Sequence, residues 1–301
     1  MLANLRDAAR RRPDALSLTD GLPLFVRNHA PARSLLTGRF LLMPQNAWPW
    51  CWTSPTRAEL RRQVALRAAT EVSMRRSLGV LRISGAIPRR GRSASNGLHN
   101  VLDAAFDDLV AAPGAEPDVP TPFLLCAGSI SSYRNLARLV AAHRSYRASG
   151  GGLSLVVAGG GAARSEADLR ARVAGDPAVT YVGPQSRAGI LALLRASHAA
   201  VFPSLVEASP VALLEALVLA PRVAASGIVG HQELVARNGA DVQWFDPASV
   251  EGIAETLKLL ESAPATEPPA ALASAAAREA AREAWSDDLV AAIGALVGGS
   301  R

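Results

Sequence analysis

The sequence predicts an α/β protein whose main unit is a doubly wound parallel sheet over residues 119–260. Three observations predict it. Short apolar runs alternate with segments of helical spacing. A Pro- and acid-containing stretch separates this region from what precedes it. The residues able to do chemistry gather where the apolar runs end. Short continuous apolar strands alternating with helices imply a parallel sheet covered on both faces. Ligands of such sheets bind at the carboxyl ends of the strands.

The alternation begins with FLLCA (123–127), a strand, and NLARLVAAHRSYRA (135–148), a helix. LSLVVAG (153–159) and ARSEADLRARV (163–173) repeat the pair, as do VTYVG (179–183) and SRAGILALLRAS (186–197), with Ser186 as N-cap. AAVFP (199–203) leads to SPVALLEALVLA, RVAAS (222–226) to VGHQELVAR, and VQWFD to ASVEGIAETLKLL. The stretch AAPGAEPDVPTP at 111–122 reads as an interdomain linker, and ESAPATEPPAA at 261–271 precedes a terminal helix. The expected domains are therefore 1–118, 119–271 and a helix in 272–301 that packs back toward the first. In the first domain LSLTDGL, RFLLMP and GVLRISGAI read as strands and 57–77 as a long basic helix. These are fewer strands than a full doubly wound domain holds.

Apolar residues make up 49% of the 301, enough for a large core. The longest apolar runs are interrupted by Arg195 and Glu215, so none spans a membrane, and the N-terminal MLANLRDAARRRPD lacks the apolar core of a secretory signal. Cys51 and Cys126 are the two cysteines, which supports neither a disulfide framework nor a Cys metal site. His29, His99, His143 and His198 show no metal spacing. These features point to the cytoplasm. Residues 1–92 hold 17 arginines against Asp7, Asp14, Asp20, Glu59 and Glu71, while Lys258 is the sole lysine. Two readings stand: arginine fills the surface role of lysine, or it forms a basic face for phosphate-bearing lipid or another anionic partner at the inner side of a membrane. No recognition motif accompanies the charge, so nucleic acid is not an expected partner.

The main constellation is Glu207-Ala-Ser-Pro-Val-Ala-Leu-Leu-Glu215, directly after AAVFPS. Ser209 reads as an N-cap and Pro210 as the first helical residue. Glu207 then lies on the loop at a strand's carboxyl end. Glu215 lies among Val211, Leu214 and Val218, where a lone carboxylate needs a partner. The helix start at 209–212 offers N–H groups to a phosphate. The second constellation runs from Gly128 to Asn135. Gly128 permits a close backbone turn, and Arg134 enters near a helix N-terminus, against the dipole, as befits a residue facing an anion. AGGG at 158–161 lacks dinucleotide spacing and reads as a turn. His231 and Glu233 follow another strand, and either could line the same crevice.

In this order these pieces resemble the retaining glycosyltransferases of family 4, which have the GT-B fold. The family's G-R-x-x-x-x-K-N matches Gly128 to Asn135 in spacing, its E-x7-E matches Glu207 and Glu215, and its small-residue strand followed by Gly and Glu matches Ala224-Ala225-Ser226 through Glu233. The resemblance covers about 119–260 and implies a GT-B-like α/β fold, a complete C-terminal domain beside a reduced N-terminal Rossmann-like one. It implies transfer of a sugar from a nucleotide diphosphate donor, with retention, with no cofactor and no required metal. The resemblance gives Glu207 the contact to the donor sugar, as the catalytic residue, and Glu215 the ribose. Gly128, Ser129, Arg134, Asn135, Ser209, Pro210 and Val211 complete the expected donor site.

The sequence departs from the family at several of these positions. Ser129 stands where the family has Arg, Arg134 where it has Lys, and Ala208-Ser209-Pro210 where it has Gly-Phe-Gly. RFLLMPQNAWPW resembles the strand whose end carries a His near the donor sugar, with Gln45 and Asn46 standing there as crevice residues. LRISGAIP and HNVLDAAFDD resemble two strands leading to the linker. On this register the first strand–helix units and their Gly-rich loop are missing. The aromatic loop of Trp48, Pro49, Trp50 and Trp52 is then expected to be exposed beside the basic helix, as a membrane-interface or partner surface serving a lipid-linked or anionic acceptor; the other reading packs it in a core. Two further functions remain open: a non-catalytic nucleotide-sugar-binding homologue, and a nicotinamide-dependent oxidoreductase, against which the lack of G-x-G-x-x-G counts.

Overall fold

The computed structural model describes residues 23–51, 56–94, 97–112 and 116–298. Their contacts divide into two units: the described residues of 1–103 with 206–210 and those of 275–301, and the described residues of 104–205 with 211–274.

The first unit is built on a four-stranded parallel sheet in the order β1-β2-β3-β4. Its strands are short: β1 is Leu24–Phe25, β2 is Leu41–Leu42, β3 is Gly79–Leu81 and β4 is Ser93–Ala94. The segment LSLTDGL falls outside the described residues. The strand β4 has no apolar run and was invisible to hydrophobic patterning. The segment HNVLDAAFDD is not a strand: it has no regular structure up to Asp103 and then turns into a helix at Ala104. Phe106, Leu109 and Val110 stand at helical spacing there, and the period decides the structure.

Helix α1, Ala32–Thr37, ends on Gly38 in the left-handed region. Helix α2, Arg57–Arg76, starts at a Thr56 hydroxyl that accepts the Glu59 N–H at 3.2 Å. Unusually, α2 buries the polar Gln63, Thr70 and Ser73 and exposes Leu60, Val64 and Val72. Its polar inner face explains the aromatic loop. Trp48–Trp50 is a 3₁₀ turn with Pro49 buried; Gln63 Nε2 donates to Trp48 O at 2.7 Å, and Trp50 Nε1 donates to Glu71 Oε1 at 3.0 Å. Trp48 and Trp50 are thus half-buried and fastened to α2, closer to the packed reading than to the exposed one, because the Trp50 indole N–H and the Trp48 carbonyl find partners on the helix. Trp52 lies outside the described residues.

The terminal helix, Ala275–Gly298, also belongs to this unit. Trp285, Leu289, Ile293 and Leu296 join its core beside Leu41, Leu42 and Leu81. A Cβ at Gly79 would lie 2.5 Å from Leu296, so the glycine in β3 is what lets the helix sit this close. Trp285 is 1% exposed and its Nε1 makes no hydrogen bond.

The second unit opens with α3, Ala104–Ala111, placed by the sequence before its boundary at 118 but grouped here by packing on the helix 187–196. A six-stranded sheet follows, every pair parallel. Its elements are β5 Phe123–Ala127, α4 Leu136–Ala148, β6 Ser154–Ala158, α5 Ala163–Val173, β7 Val179–Gly183, α6 Arg187–Ala196, β8 Ala199–Phe202, α7 Val211–Leu219, β9 Val223–Ser226, α8 Val229–Asn238, β10 Gln243–Phe245 and α9 Val250–Ser262. The spatial order β10-β9-β8-β5-β6-β7 is the doubly wound order that the alternation predicts. Ser186 caps α6 as expected, its hydroxyl accepting the Gly189 N–H at 3.0 Å.

The AGGG run is not a simple turn. Gly128 N donates to Ala158 O at 2.9 Å, Ile130 N to Gly160 O at 2.8 Å, and Ile130 bridges Gly161. The loops after β5 and β6 therefore continue the ladder beyond the strands. A Cβ at Gly159 would stand 1.8 Å from Gly128 O, and Gly159 has φ 142°.

Two outcomes follow for stability. Trp285→Ala is expected to lower unfolding free energy by about 3–5 kcal/mol, and Trp285→Phe by much less, since the indole N–H makes no bond to lose. Gly159→Ala is expected to cost at least about 2 kcal/mol, from strain and backbone collision. Urea unfolding of the three variants measures both effects.

Candidate active site

The sheet order reverses between β5 and β8, and this is the switch point where the loops after both strands part and leave a crevice. Two cavities open at this edge, both walled by Ala127 and Gly128.

The first holds Ser129, Arg134 and Ser204. Arg134 ends a 3₁₀ turn, Ser132–Arg134, and Asn135 then adopts the left-handed region at φ 59°. The turn brings the guanidinium onto Gly128, where a Cβ would lie 3.2 Å from Arg134 Cζ. Gly128, at φ 144°, is required by both the backbone and this contact. Arg134 Nη1 lies 3.5 Å from Ser204 Oγ. Ser129 is exposed on the same loop. Asn135, an expected donor contact, is 4% exposed, donates from Nδ2 to Pro247 O at 2.7 Å and accepts from Arg138. Its side chain thus shapes the turn that aims Arg134.

The second cavity, of about 210 Å³, is walled by Gly159, Gly160, Gln185, Arg187 and Glu215 among others. Glu215 sits on the apolar α7 at 6% exposure, and its Oε1 accepts from Arg187 Nε at 2.8 Å. Sequence reasoning missed Arg187. The signal was available: it is the first residue of a helix, where its charge opposes the dipole. Arg134, Ser129 and Glu215 are thus brought to adjoining cavities that meet at Gly128.

The intervening segment behaves differently from expectation. Val206 and Ala208 pack into the core of the first unit, and Glu207 between them is half-buried. Ser209 is not an N-cap: its Oγ accepts the Asn100 N–H at 2.7 Å and its carbonyl accepts Asn100 Nδ2 at 2.5 Å. The hydroxyl is already engaged by a chain segment far away in sequence. Pro210 is buried and Val211 begins α7 half-buried. In the first unit, Gln45 and Asn46 donate their N–H groups to Asn28 Oδ1; Gln45 Nε2 bonds Met43 O, and Asn46 Oδ1 accepts Trp48 N–H. Glu233 is half-buried on α8. Among the described residues no group of three or more His, Cys, Asp or Glu is placed to hold a metal ion.

His231 turns under the edge rather than lining it. It is fully buried, and its Nδ1 lies 3.1 Å from both Ser226 Oγ and Ser226 O. The Ser226 hydroxyl donates to Ser204 O at 2.6 Å, so Nδ1 must carry the proton. Burial pushes the His231 pKa down to about 4, opposed by the Ser226 carbonyl and assisted by the Arg134 charge. Burial also raises the Cys126 thiol to about 12, so it is an inert core residue at neutral pH. Below the ordinary His value of 6.5 the unfolded chain takes up a proton that folded His231 refuses until about 4. Stability is therefore expected to fall as pH drops from 6.5 to 4, by about 3 kcal/mol from this residue. His231→Asn keeps a donor toward Ser226 and should flatten that slope in unfolding measured across the window.

The family of glycosyl transferases group 1 matches residues 114–279. A comparison with curated proteins finds no match. Among solved structures the chain is similar to an α,α-trehalose 6-phosphate synthase from Burkholderia multivorans, at 14% identity and TM-score 0.62, over 87% of this chain and 66% of that one. A UDP-forming α,α-trehalose-phosphate synthase from Burkholderia xenovorans gives 14% and 0.59, over 84% and 68%. A sucrose-phosphate synthase from Thermosynechococcus elongatus gives 17% and 0.52, over 86% and 65%. The chain thus spans about two thirds of the length of these structures. These likenesses establish the fold as α/β with parallel sheets, GT-B-like. With the family matched across more than half of its length, the chain belongs to the glycosyl transferases group 1.

Proposed function

We propose that the protein moves a sugar from a nucleoside diphosphate donor to an acceptor hydroxyl with retention at the anomeric carbon, as its resemblance to family 4 implies. The observation that carries the reading is Arg134, held over Gly128 at the carboxyl edge of β5, with the carboxylate of Glu215 on the next cavity wall. A guanidinium there suits a diphosphate, which it can bind through two parallel N–H donors. In the step, the bond from the anomeric carbon to the diphosphate oxygen breaks and its electron pair leaves with the diphosphate. The acceptor oxygen bonds to the same face, and its proton passes to the departing diphosphate. Arg134 offsets the charge that grows on the leaving group. Glu207 contacts the donor sugar and Glu215 the ribose. No cofactor is invoked.

The acceptor is read as anionic or lipid-linked. Helix α2 supports this, exposing Leu60, Val64 and Val72 beside Arg57, Arg61 and Arg62, a composition suited to an anionic lipid surface at the cytoplasmic side. No described helix is long and apolar enough to cross a membrane. A synthase of this fold has been crystallised in complex with glucose-6-phosphate, a phosphorylated sugar. A second reading, donor binding without transfer, draws on Ser129 in place of a second cation and on Gln45 and Asn46, whose side chains bond to their own loop.

Titration calorimetry with uridine, adenosine and guanosine diphosphates tests the site. Arg134→Ala is expected to weaken the best of them by about 1.5–3 kcal/mol, and Ser129→Arg to tighten it. Unchanged affinity in both variants would remove the phosphate role. Slow hydrolysis of the corresponding sugar donors by the wild type, lost in Glu207→Gln, is expected of a transferase; binding without hydrolysis would favour the second reading.

A further inference from the structure

We infer that His231 is a positioning residue: from beneath the site it fixes the seat of Arg134, and with it the affinity for a diphosphate, through a tie across the ends of three strands. The inference rests on the donor-binding reading above.

The three strands are neighbours in the sheet, in the order β9-β8-β5. The tie starts on α8. His231 Nδ1 lies 3.1 Å from both the hydroxyl and the carbonyl of Ser226, the last residue of β9. The Ser226 hydroxyl donates to Ser204 O at 2.6 Å, just past the end of β8. The next residue, Leu205, donates its N–H to Tyr133 O at 2.8 Å. Tyr133 precedes Arg134 in the 3₁₀ turn that follows β5. Ser204 Oγ also lies 3.5 Å from Arg134 Nη1. Arg134 is therefore joined to the loop after β8 twice, through the carbonyl of the residue before it and through its own side chain.

His231 sets the direction of the first link. A serine hydroxyl has one proton, and that of Ser226 goes to Ser204 O. The imidazole must then donate, and it holds Ser226 by both oxygens, in the rotamer that aims the hydroxyl at Ser204. His231, Ser226 and Ser204 are fully buried, where bulk water does not replace a lost partner. His231 and Ser226 stand outside the walls of both cavities, whereas Ser204 and Arg134 wall the first. Burial and, to a smaller degree, the Arg134 charge keep the ring neutral, so it acts on the site by geometry and not by charge.

The test is titration calorimetry with uridine, adenosine and guanosine diphosphates. The proteins are the wild type, Ser226→Ala, His231→Phe, His231→Asn and the double variant of the first two. Ser226→Ala and His231→Phe should each weaken the best nucleotide by about three- to tenfold, the range for a lost buried hydrogen bond. The double variant should bind no more weakly than the weaker single, because both changes break one tie. His231→Asn carries an N–H donor at the same δ position and should bind within about twofold of the wild type. Urea unfolding of each variant separates affinity from stability. A purely structural role would lower stability and leave the affinity of the folded protein as it was, and that outcome overturns the proposal. So do losses that add in the double variant, and a His231→Asn that regains stability but not affinity. Should His231→Phe not fold, Ser226→Ala, which removes one oxygen, decides alone: wild-type affinity in it overturns the proposal. A wild type that binds none of the three nucleotides sinks the donor reading and this inference together. A wild type that binds, with variants that bind equally well, sinks this inference and leaves the donor reading standing.

Discussion

The site depends on a close approach of two backbones. The loops after β5 and β6 continue to pair past the ends of their strands, with Ile130 bonded to Gly160 and bridged to Gly161. That geometry leaves no room for a side chain at Gly159 or Gly161, where a Cβ would stand 1.8 and 2.3 Å from carbonyl oxygens. It also sets the direction in which Gly128 leaves the sheet. Gly128 in turn gives the Arg134 guanidinium a flat seat. Main-chain geometry therefore helps to hold a cation at the switch point.

The charges at this edge are arranged in separate compartments. Arg134 lines one cavity with two serines, whereas Arg187 and Glu215 form an ion pair in the next. Beneath them His231 is buried and neutral, its Nδ1 proton committed to Ser226. The Arg134 charge reinforces that neutrality by disfavouring a second cation nearby.

The first unit follows another economy. Its sheet strands are two or three residues long, and most of its apolar core comes from side chains of loops and of the terminal helix. Helix α2 turns polar residues inward: Gln63 bonds the Trp48–Trp50 turn, Thr70 and Ser73 donate to their own helix, and Glu71 serves both Trp50 and Arg90. Burial is the largest single influence on the Glu71 pKa and raises it, but the Trp50 and Arg90 bonds together with the Arg90 and Arg75 charges outweigh it and hold the pKa below its ordinary value. A buried hydrogen-bonded interface of this kind contributes geometric specificity more than net stability.

The sequence by itself determined the second unit. Local period is enough for strands such as FLLCA and helices such as SRAGILALLRAS, because each buries its own apolar pattern in the element it forms. It also marked Gly128, Arg134 and Glu215, since a glycine after a strand, a cation at a helix start and a carboxylate in an apolar helix are each locally anomalous. Only the tertiary structure decided the rest. β4 has no hydrophobic signal and forms only by pairing with β3. Ser209 lost its expected capping role to Asn100, and Gln63 and Glu71 decided between the two readings of Trp48 and Trp50 by fastening them to α2. Arg187 acquired meaning only beside Glu215. In each case the deciding partner lies at least 12 residues away, and a hydrogen bond across such a separation leaves no periodic trace in either segment.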